Sequence, residues 1–263
     1  MSRPRRLRRG IYLLPTLFTL TNLFCGYSAI VQTSTGNLEL AAMLIILAAV
    51  LDGLDGRIAR LSGSTSPFGV EFDSLADIVS FGIAPAMLAF HWGLASTKIG
   101  WSLAFMFLVC AAMRLARFNL QRATADKRFF AGMPSPMAGM MLASVVLAFP
   151  EPPISMVVNV AWGVVVFVVA ILMISRLRYR SFKEFDLHNR RSYIYVLPLA
   201  AILVGVALHP EVVLLVLCAA YLLSGPVFYL AGLRRRGRVA FAPAVTDPPP
   251  AGATEVADEP ALR

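Results

Sequence analysis

Four aspartates lie close together within residues 52–77: Asp52, Asp55, Asp73 and Asp77. The members of the first pair are three residues apart and those of the second pair are four apart, so each pair lies on one face of a helix. Four like charges in one small space repel each other unless cations lie between them. Because carboxylate oxygens are preferred ligands of Mg²⁺ and Mn²⁺, the pattern predicts a two-metal site with ions about 3.5–4 Å apart.

Small residues lie one helical turn from these aspartates: Gly56, Ala59 and Gly69. Without large side chains at these positions, a ligand can approach the helix backbone closely. Arg60 follows one turn after Gly56 and supplies a fixed cation for a phosphate group. Ordinary packing of small residues between helices is the alternative explanation, but their alignment with the carboxylates favours a phosphate-bearing ligand.

The composition indicates which elements hold these residues. Of 263 residues, 58% are apolar and 15% are charged, with a mean hydropathy of +0.70, whereas soluble domains are about 45–50% apolar and about 25% charged. Basic residues separate apolar runs, which is typical of a polytopic membrane protein and excludes a nucleic-acid-binding domain despite the net charge of +9. Cys25, Cys110 and Cys218 each fall within an apolar run, so we expect buried thiols rather than disulfides or zinc ligands.

Eight apolar runs are long enough to cross a bilayer as helices, and we therefore predict an all-α fold with about eight transmembrane helices. The runs are 11–31, 38–60, 72–92, 99–119, 134–150, 154–175, 192–208 and 211–231. If the arginine-rich start is cytoplasmic, eight crossings place all of the 24 Lys and Arg residues except Lys98 on the cytoplasmic side, as the positive-inside rule requires. Both termini are then cytoplasmic, and the four aspartates lie at the cytoplasmic ends of the second and third spans.

The chain divides into three predicted regions. A basic cytoplasmic N-terminus covers residues 1–10, a transmembrane domain covers 11–232, and a basic, then proline- and acid-rich cytoplasmic tail covers 233–263. The tail has few large apolar residues, so we expect it to be disordered. The first apolar run is about 20 residues long, which exceeds the apolar part of a typical signal peptide, and we interpret it as a permanent helix.

The segment from Asp52 to Asp77 resembles the signature of the CDP-alcohol phosphatidyltransferase family and matches all of its fixed positions. The resemblance implies that the four aspartates bind two divalent cations, Mg²⁺ or Mn²⁺, on the diphosphate of a CDP-linked substrate. It also implies that Asp73 and Asp77 are catalytic, with Asp77 as the general base. The CDP pocket would be shaped by the other four signature residues, Gly56, Ala59, Arg60 and Gly69.

Four further stretches resemble the phosphatidylserine synthase branch of this family: 13–26, 72–85, 114–119 and 132–136. Thr16 departs from that branch, which usually has Asn after the proline. On this resemblance Asn22 belongs to the CDP pocket. The residues expected to bind the acceptor are Arg114, Arg117, Asn119 and Ser135, although arginines at the end of a span also serve as topology anchors.

The resemblance implies transfer of a phosphatidyl group from CDP-diacylglycerol to L-serine at the cytoplasmic face of the cell (inner) membrane, giving phosphatidylserine and CMP. It further implies a multi-pass protein that forms a homodimer in the lipid bilayer. Two alternatives stay open from the sequence. One is the same chemistry with another alcohol, such as glycerol 3-phosphate, inositol phosphate or choline, and the other is a divalent-cation transporter, whose intramembrane carboxylates would bind an ion in transit.

Overall fold

The computed structural model of the chain describes most of its length. The described residues are 6–62, 67–121, 129–175, 177–180, 200, 204–205 and 207–240. Side-chain surroundings are described over shorter ranges: 16–54, 68–120, 132–175, 177, 200, 204–205 and 207–229. The chain divides into two compact units, residues 1–229 and 230–263, and the helix bundle belongs to the first. In the second unit the described residues are helical backbone up to residue 240.

Helices account for nearly all of the described residues. In chain order they are α1 (Arg6–Ser34), α2 (Leu38–Ser62), α3 (Pro67–Ile78), π1 (Val79–Ile83), α4 (Ala84–Ala89), π2 (Phe90–Leu94), α5 (Gly100–Gln121), α6 (Ser135–Ala148), α7 (Met156–Ile174) and α8 (Pro210–Ala240). Two three-residue strands, β1 (Phe129–Ala131) and β2 (Arg178–Arg180), pair antiparallel. The predicted helical class is confirmed, apart from this strand pair, which the sequence did not predict.

Four helical runs among the described residues are long and apolar enough to cross a membrane: Phe68–Leu94, Gly100–Leu120, Met156–Ile174 and Pro210–Tyr229. They agree with the predicted spans 72–92, 99–119, 154–175 and 211–231. α6 is shorter than the predicted span 134–150, because its 14 residues extend only about 21 Å. The hydrocarbon core of a bilayer is about 30 Å thick, and α6, which is shorter than the four runs above, is not counted among them.

The predicted spans 11–31 and 38–60 lie within α1 and α2, whereas 192–208 falls largely outside the described residues. The eight-crossing topology, the cytoplasmic termini and the domain boundaries stay predictions. The three cysteines are free and buried, which agrees with the expectation of buried thiols.

A short turn joins α1 to α2 and makes them antiparallel neighbours. Gly36 in this turn has a φ of +85°, a left-handed conformation that glycine adopts without a steric penalty. Its N–H donates to the carbonyl of Thr33 at 3.1 Å, so the turn satisfies a carbonyl at the end of α1. Both helices carry alanines with no exposed surface: Ala29, Ala41, Ala42 and Ala48. Small residues let membrane helices approach closely, and α1 packs along α2.

One continuous helical run, residues 67–94, carries the second pair of aspartates. π1 begins two residues after Asp77 and ends just before the turn that contains Pro85. Since Pro85 has no N–H and its ring clashes with the carbonyl four residues earlier, the wider π turn accommodates the proline. α1 packs tightly against this turn, because a Cβ at Gly26 would collide with Ser80.

Backbone hydrogen bonds hold the start of α6 against the end of α7. The N–H of Gly132 donates to the carbonyl of Leu177 at 2.9 Å, and the N–H of Met133 donates to the carbonyl of Leu172 at 3.0 Å. Gly132 has a φ of +85°, and a Cβ there would collide with a carbonyl of α7. This segment therefore requires glycine and fixes the position of Ser135, the first residue of α6.

We predict that Gly26→Ala lowers the stability of the folded protein and that Gly53→Ala does not. A methyl group at position 26 would collide with Ser80, and such overpacking costs about 1–3 kcal/mol, whereas a Cβ at Gly53 meets no atom within 4 Å. Because both glycines are helical, the comparison separates crowding from helix propensity. The measurement is the midpoint of thermal denaturation in one detergent. Equal midpoints for Gly26→Ala and the unchanged protein would contradict the close packing of α1 against π1.

Candidate functional site

Carboxylates from two helices meet at one place in the bundle. Asp52 lies on α2, and Asp73 and Asp77 lie one turn apart on α3. One carboxylate oxygen from each of these three residues lies within 4.8 Å of the others, and Oδ1 of Asp73 and Oδ1 of Asp77 are buried from solvent. We call these three residues the carboxylate cluster. The side chain of Asp55, the fourth predicted ligand, lies outside the described residues.

The carboxylate cluster fits a divalent cation. Mg²⁺ and Mn²⁺ prefer oxygen ligands, and ligands on opposite sides of such an ion are about 4.2 Å apart when each metal–oxygen distance is about 2.1 Å. The spread of 4.8 Å is therefore close to what an ion requires. Two unit charges about 5 Å apart also repel by about 3 kcal/mol at an effective dielectric constant of about 20. A cation between the carboxylates would replace this repulsion with attraction.

Arg114 of α5 lies beside the carboxylate cluster. Its guanidinium group interacts electrostatically with Asp52 and Asp77, and its Cζ lies 5.8 Å from the ring centroid of Phe118, within the range of a cation–π interaction. Nη1 of Arg114 donates a hydrogen bond to Oγ of Ser135 at 2.7 Å, and Ser135 has no exposed surface. The structure thus brings two of the predicted acceptor residues into contact next to the aspartates.

The other two predicted acceptor residues make contacts between helices. Nη1 of Arg117 donates to the carbonyl of Ile174, the last residue of α7, at 3.2 Å, and basic side chains bind such terminal carbonyls favourably. Nδ2 of Asn119 donates to Oγ of Ser74 at 2.8 Å. Arg117 therefore links α5 to α7, and Asn119 links α5 to α3.

Asn22 of α1 is fully buried, with no exposed surface. Its backbone carbonyl accepts a hydrogen bond from Oγ of Ser80 at 3.0 Å, and Ser80 lies three residues after Asp77, on the same side of that helical run. Both side-chain polar atoms of Asn22 lack a hydrogen-bond partner among the described residues. Because a buried amide without partners costs about 1–3 kcal/mol, this side chain is suited to hold a polar group of a ligand.

The four predicted CDP-pocket residues of the signature are only partly described. Gly69 lies on α3, one turn before Asp73, and is half-buried. Gly56, Ala59 and Arg60 lie on the helical backbone of α2, but their surroundings fall outside the described residues. Their role in binding CDP stays a prediction.

Two residues that the sequence did not indicate also lie at this site. Ser74 directly follows Asp73 and accepts the hydrogen bond from Asn119. Tyr221 of α8 lies near Arg114 and packs against the buried core. A tyrosine within an apolar run carries no pattern that would distinguish it from a lipid-facing residue. Ser74 was detectable only as a polar neighbour of a predicted metal ligand.

Comparison with known proteins relates most of this chain to one family. The sequence model described as CDP-alcohol phosphatidyltransferase matches residues 12–175, which include all four aspartates. The CDP-diacylglycerol–serine O-phosphatidyltransferase of Helicobacter pylori (strain ATCC 700392 / 26695) is 36% identical over 228 residues, which are 84% of this chain and 92% of the relative. Proteins with the same name from Mycobacterium leprae (strain TN) and Bacillus subtilis (strain 168) are 33% and 34% identical. Their alignments cover 86% and 68% of this chain and 77% and 96% of the relatives, respectively.

We expect Asp73→Asn to weaken the binding of Mn²⁺ alone to the purified full chain by at least about tenfold, because the amide keeps the shape of the side chain but removes a charged ligand. Glu39→Gln is the matched control, since Glu39 lies in the first turn of α2 and is exposed. A titration followed by the electron paramagnetic resonance signal of free Mn²⁺ measures both affinities. If Asp73→Asn binds Mn²⁺ as tightly as Glu39→Gln does, Asp73 is not a metal ligand.

Proposed function

Because the chain belongs to the CDP-alcohol phosphatidyltransferase family, we propose that it transfers the phosphatidyl group of CDP-diacylglycerol to L-serine, giving phosphatidylserine and CMP. Family membership makes the chain a membrane enzyme that transfers phosphatidyl groups. Serine as the acceptor is supported by the relatives from H. pylori, M. leprae and B. subtilis, whose names all specify serine.

The observation that carries this function is the carboxylate cluster beside Arg114. Two divalent ions, Mg²⁺ or Mn²⁺, would be held by Asp52, Asp73 and Asp77, with Asp55 as the further ligand that the signature implies. Bound there, they would neutralise the diphosphate and the charge that develops on the leaving oxygen. The buried amide of Asn22, near Ser80 on the same helical run as Asp77, supports a neighbouring site for a polar part of CDP.

In the proposed reaction, the hydroxyl oxygen of serine forms a bond to the phosphorus that carries diacylglycerol. The bond between this phosphorus and the oxygen that bridges to CMP breaks, and CMP leaves with the electron pair. The hydroxyl proton passes to a carboxylate oxygen of Asp77, the general base that the signature implies. Asp77 suits this role because it belongs to the carboxylate cluster and also interacts with Arg114, which is one of the predicted acceptor residues.

Arg114 and Ser135 are the residues that we assign to the acceptor. A guanidinium group has five N–H donors and pairs with carboxylates in a planar, bidentate way. The hydrogen bond to Ser135 engages one of these donors and orients the group, while the remaining donor capacity suits the α-carboxylate of serine. Arg117 and Asn119 are not assigned to the acceptor, because they contact the end of α7 and Ser74.

We place the site at the cytoplasmic face of the inner membrane, in a multi-pass protein that forms a homodimer. The cytoplasmic face is supported by the distribution of basic residues around the apolar runs, and the homodimer by the resemblance to the family. A divalent-cation transporter is set aside because the chain belongs to a family of enzymes. Transfer to another alcohol is the competing function.

We predict that the purified protein releases CMP from CDP-diacylglycerol with L-serine and that EDTA abolishes the release. Glycerol 3-phosphate, inositol phosphate and choline should each support a rate at least about a hundredfold lower at equal concentration, because a site that pairs charged groups rejects analogues that leave these groups unpaired. The measurement is CMP release in detergent micelles that contain Mg²⁺ or Mn²⁺. A faster rate with any of the other three alcohols would assign the enzyme to that acceptor.

We predict that Asp77→Asn retains binding of CDP-diacylglycerol but loses the chemical step. Removal of a general base costs about 10²–10⁴ in rate, so kcat should fall far more than the affinity for CDP-diacylglycerol. Binding and the single-turnover rate are measured on one preparation of the variant. If binding collapses together with the rate, Asp77 acts chiefly as a metal ligand and another group accepts the proton.

A further inference from the structure

A chain of two hydrogen bonds connects α5 to the part of α3 that carries the aspartates. Nδ2 of Asn119 donates to Oγ of Ser74 at 2.8 Å, and the hydroxyl of Ser74 donates to the carbonyl of Val70 at 3.0 Å. A hydroxyl group has one donor and two acceptor sites. Ser74 therefore makes both contacts at once, as acceptor from α5 and as donor within its own helix.

The position of Ser74 makes this connection relevant to the carboxylate cluster. Ser74 directly follows Asp73 and lies three residues before Asp77. Carboxyl groups lie about 6 Å from the helix axis, so a rotation of α3 by about 10° moves them by about 1 Å. Such a shift is large compared with the tolerance of metal–oxygen distances, about 0.2 Å. The regular α-helical pattern ends at Ile78 and π1 begins at Val79, so the turn after Asp77 follows a different hydrogen-bond pattern.

We propose that Asn119 is a positioning residue for the metal site, acting through Ser74, and that it is not a contact of the acceptor. By holding Ser74, Asn119 fixes the rotation of α3, which sets the distances from Asp73 and Asp77 to Asp52 on α2. This role rests on the proposed function, because it requires that the carboxylate cluster binds a divalent ion. It replaces the sequence-based expectation that Asn119 binds the acceptor alcohol.

Arg114 and Asn119 lie five residues apart on α5, and each makes a separate contact with the site. Arg114 interacts with Asp77 and Asp52, and Asn119 binds the residue next to Asp73. α5 therefore contacts the site in two places, through the charge of Arg114 and through the neutral hydrogen bond of Asn119. Loss of the neutral bond should leave the charge of Arg114 in place and change only how well the carboxylates are aligned.

The test compares the full chain with Ser74→Ala, Asn119→Ala and the double variant. The first readout is the binding of Mn²⁺ alone, and the second is the Michaelis constant for L-serine at saturating Mn²⁺. Ser34→Ala is the matched control, because the hydroxyl of Ser34 also donates to a carbonyl of its own helix but lies at the end of α1, in an exposed position. Ser74→Thr keeps the hydroxyl group and serves as the conservative rescue.

Each single variant should weaken Mn²⁺ binding by about three- to tenfold, as expected for the loss of one hydrogen bond. The double variant should be no weaker than the single ones, because both changes remove the same contact. The Michaelis constant for serine should stay within about twofold of the unchanged protein, and Ser74→Thr and Ser34→Ala should bind Mn²⁺ normally. If Asn119→Ala does not fold, Ser74→Ala makes the same comparison, since it removes only an oxygen.

Normal Mn²⁺ binding in the folded variants would contradict the positioning role and leave the metal site itself intact. A serine Michaelis constant raised by about tenfold or more in Asn119→Ala, with Mn²⁺ binding unchanged, would show that Asn119 contacts the acceptor instead. An unchanged protein that does not bind Mn²⁺ in a saturable way would contradict both the metal site and the positioning role. The three outcomes are distinct, so failure of this role can be told from failure of the proposed function.

Discussion

The close approach of three carboxylates is the constraint on which the rest of this structure depends. Oxygens of Asp52, Asp73 and Asp77 lie within 4.8 Å of one another in a membrane protein, where one ionised aspartate costs about 2.5–3.5 kcal/mol at the centre of a spanning helix and less near its ends. Such a group persists only if positive charge balances it and rigid helices hold it. Arg114 supplies a fixed charge beside it, and a bound divalent ion would supply the larger share.

Close packing keeps the helices that carry these carboxylates in place. Gly26 lets α1 lie directly against π1, where a Cβ would collide with Ser80, and Ser80 in turn donates to the carbonyl of Asn22. This contact lies within about one turn of Asp77, so the packing that closes the bundle also forms one edge of the site. On the other side, Gly132 holds the start of α6 against α7, which positions Ser135 for its hydrogen bond with Arg114.

Hydropathy and helical periodicity predicted much of this fold, because apolar length is a local property of the chain. Four predicted spans coincide with apolar helices. The predicted span 134–150 corresponds to α6 (Ser135–Ala148), which begins one residue later and ends two residues earlier. Neither hydropathy nor periodicity predicted that the chain would pass through a π turn just before Pro85. The pairing of β1 with β2 was not predictable, because three residues are too few for an alternating pattern.

The sequence by itself predicted the carboxylates of the site, because the spacing of the aspartates places each pair on one helical face and carboxylate oxygens suit divalent ions. Only the tertiary structure decided which side chains surround that set. Arg114 contacts Ser135, 21 residues away, and Asn119 contacts Ser74, 45 residues away. Helical periodicity specifies the face on which a residue lies. Packing between residues that are distant in sequence decides which helix this face meets and how the two helices are rotated against each other. No local sequence pattern contains that information.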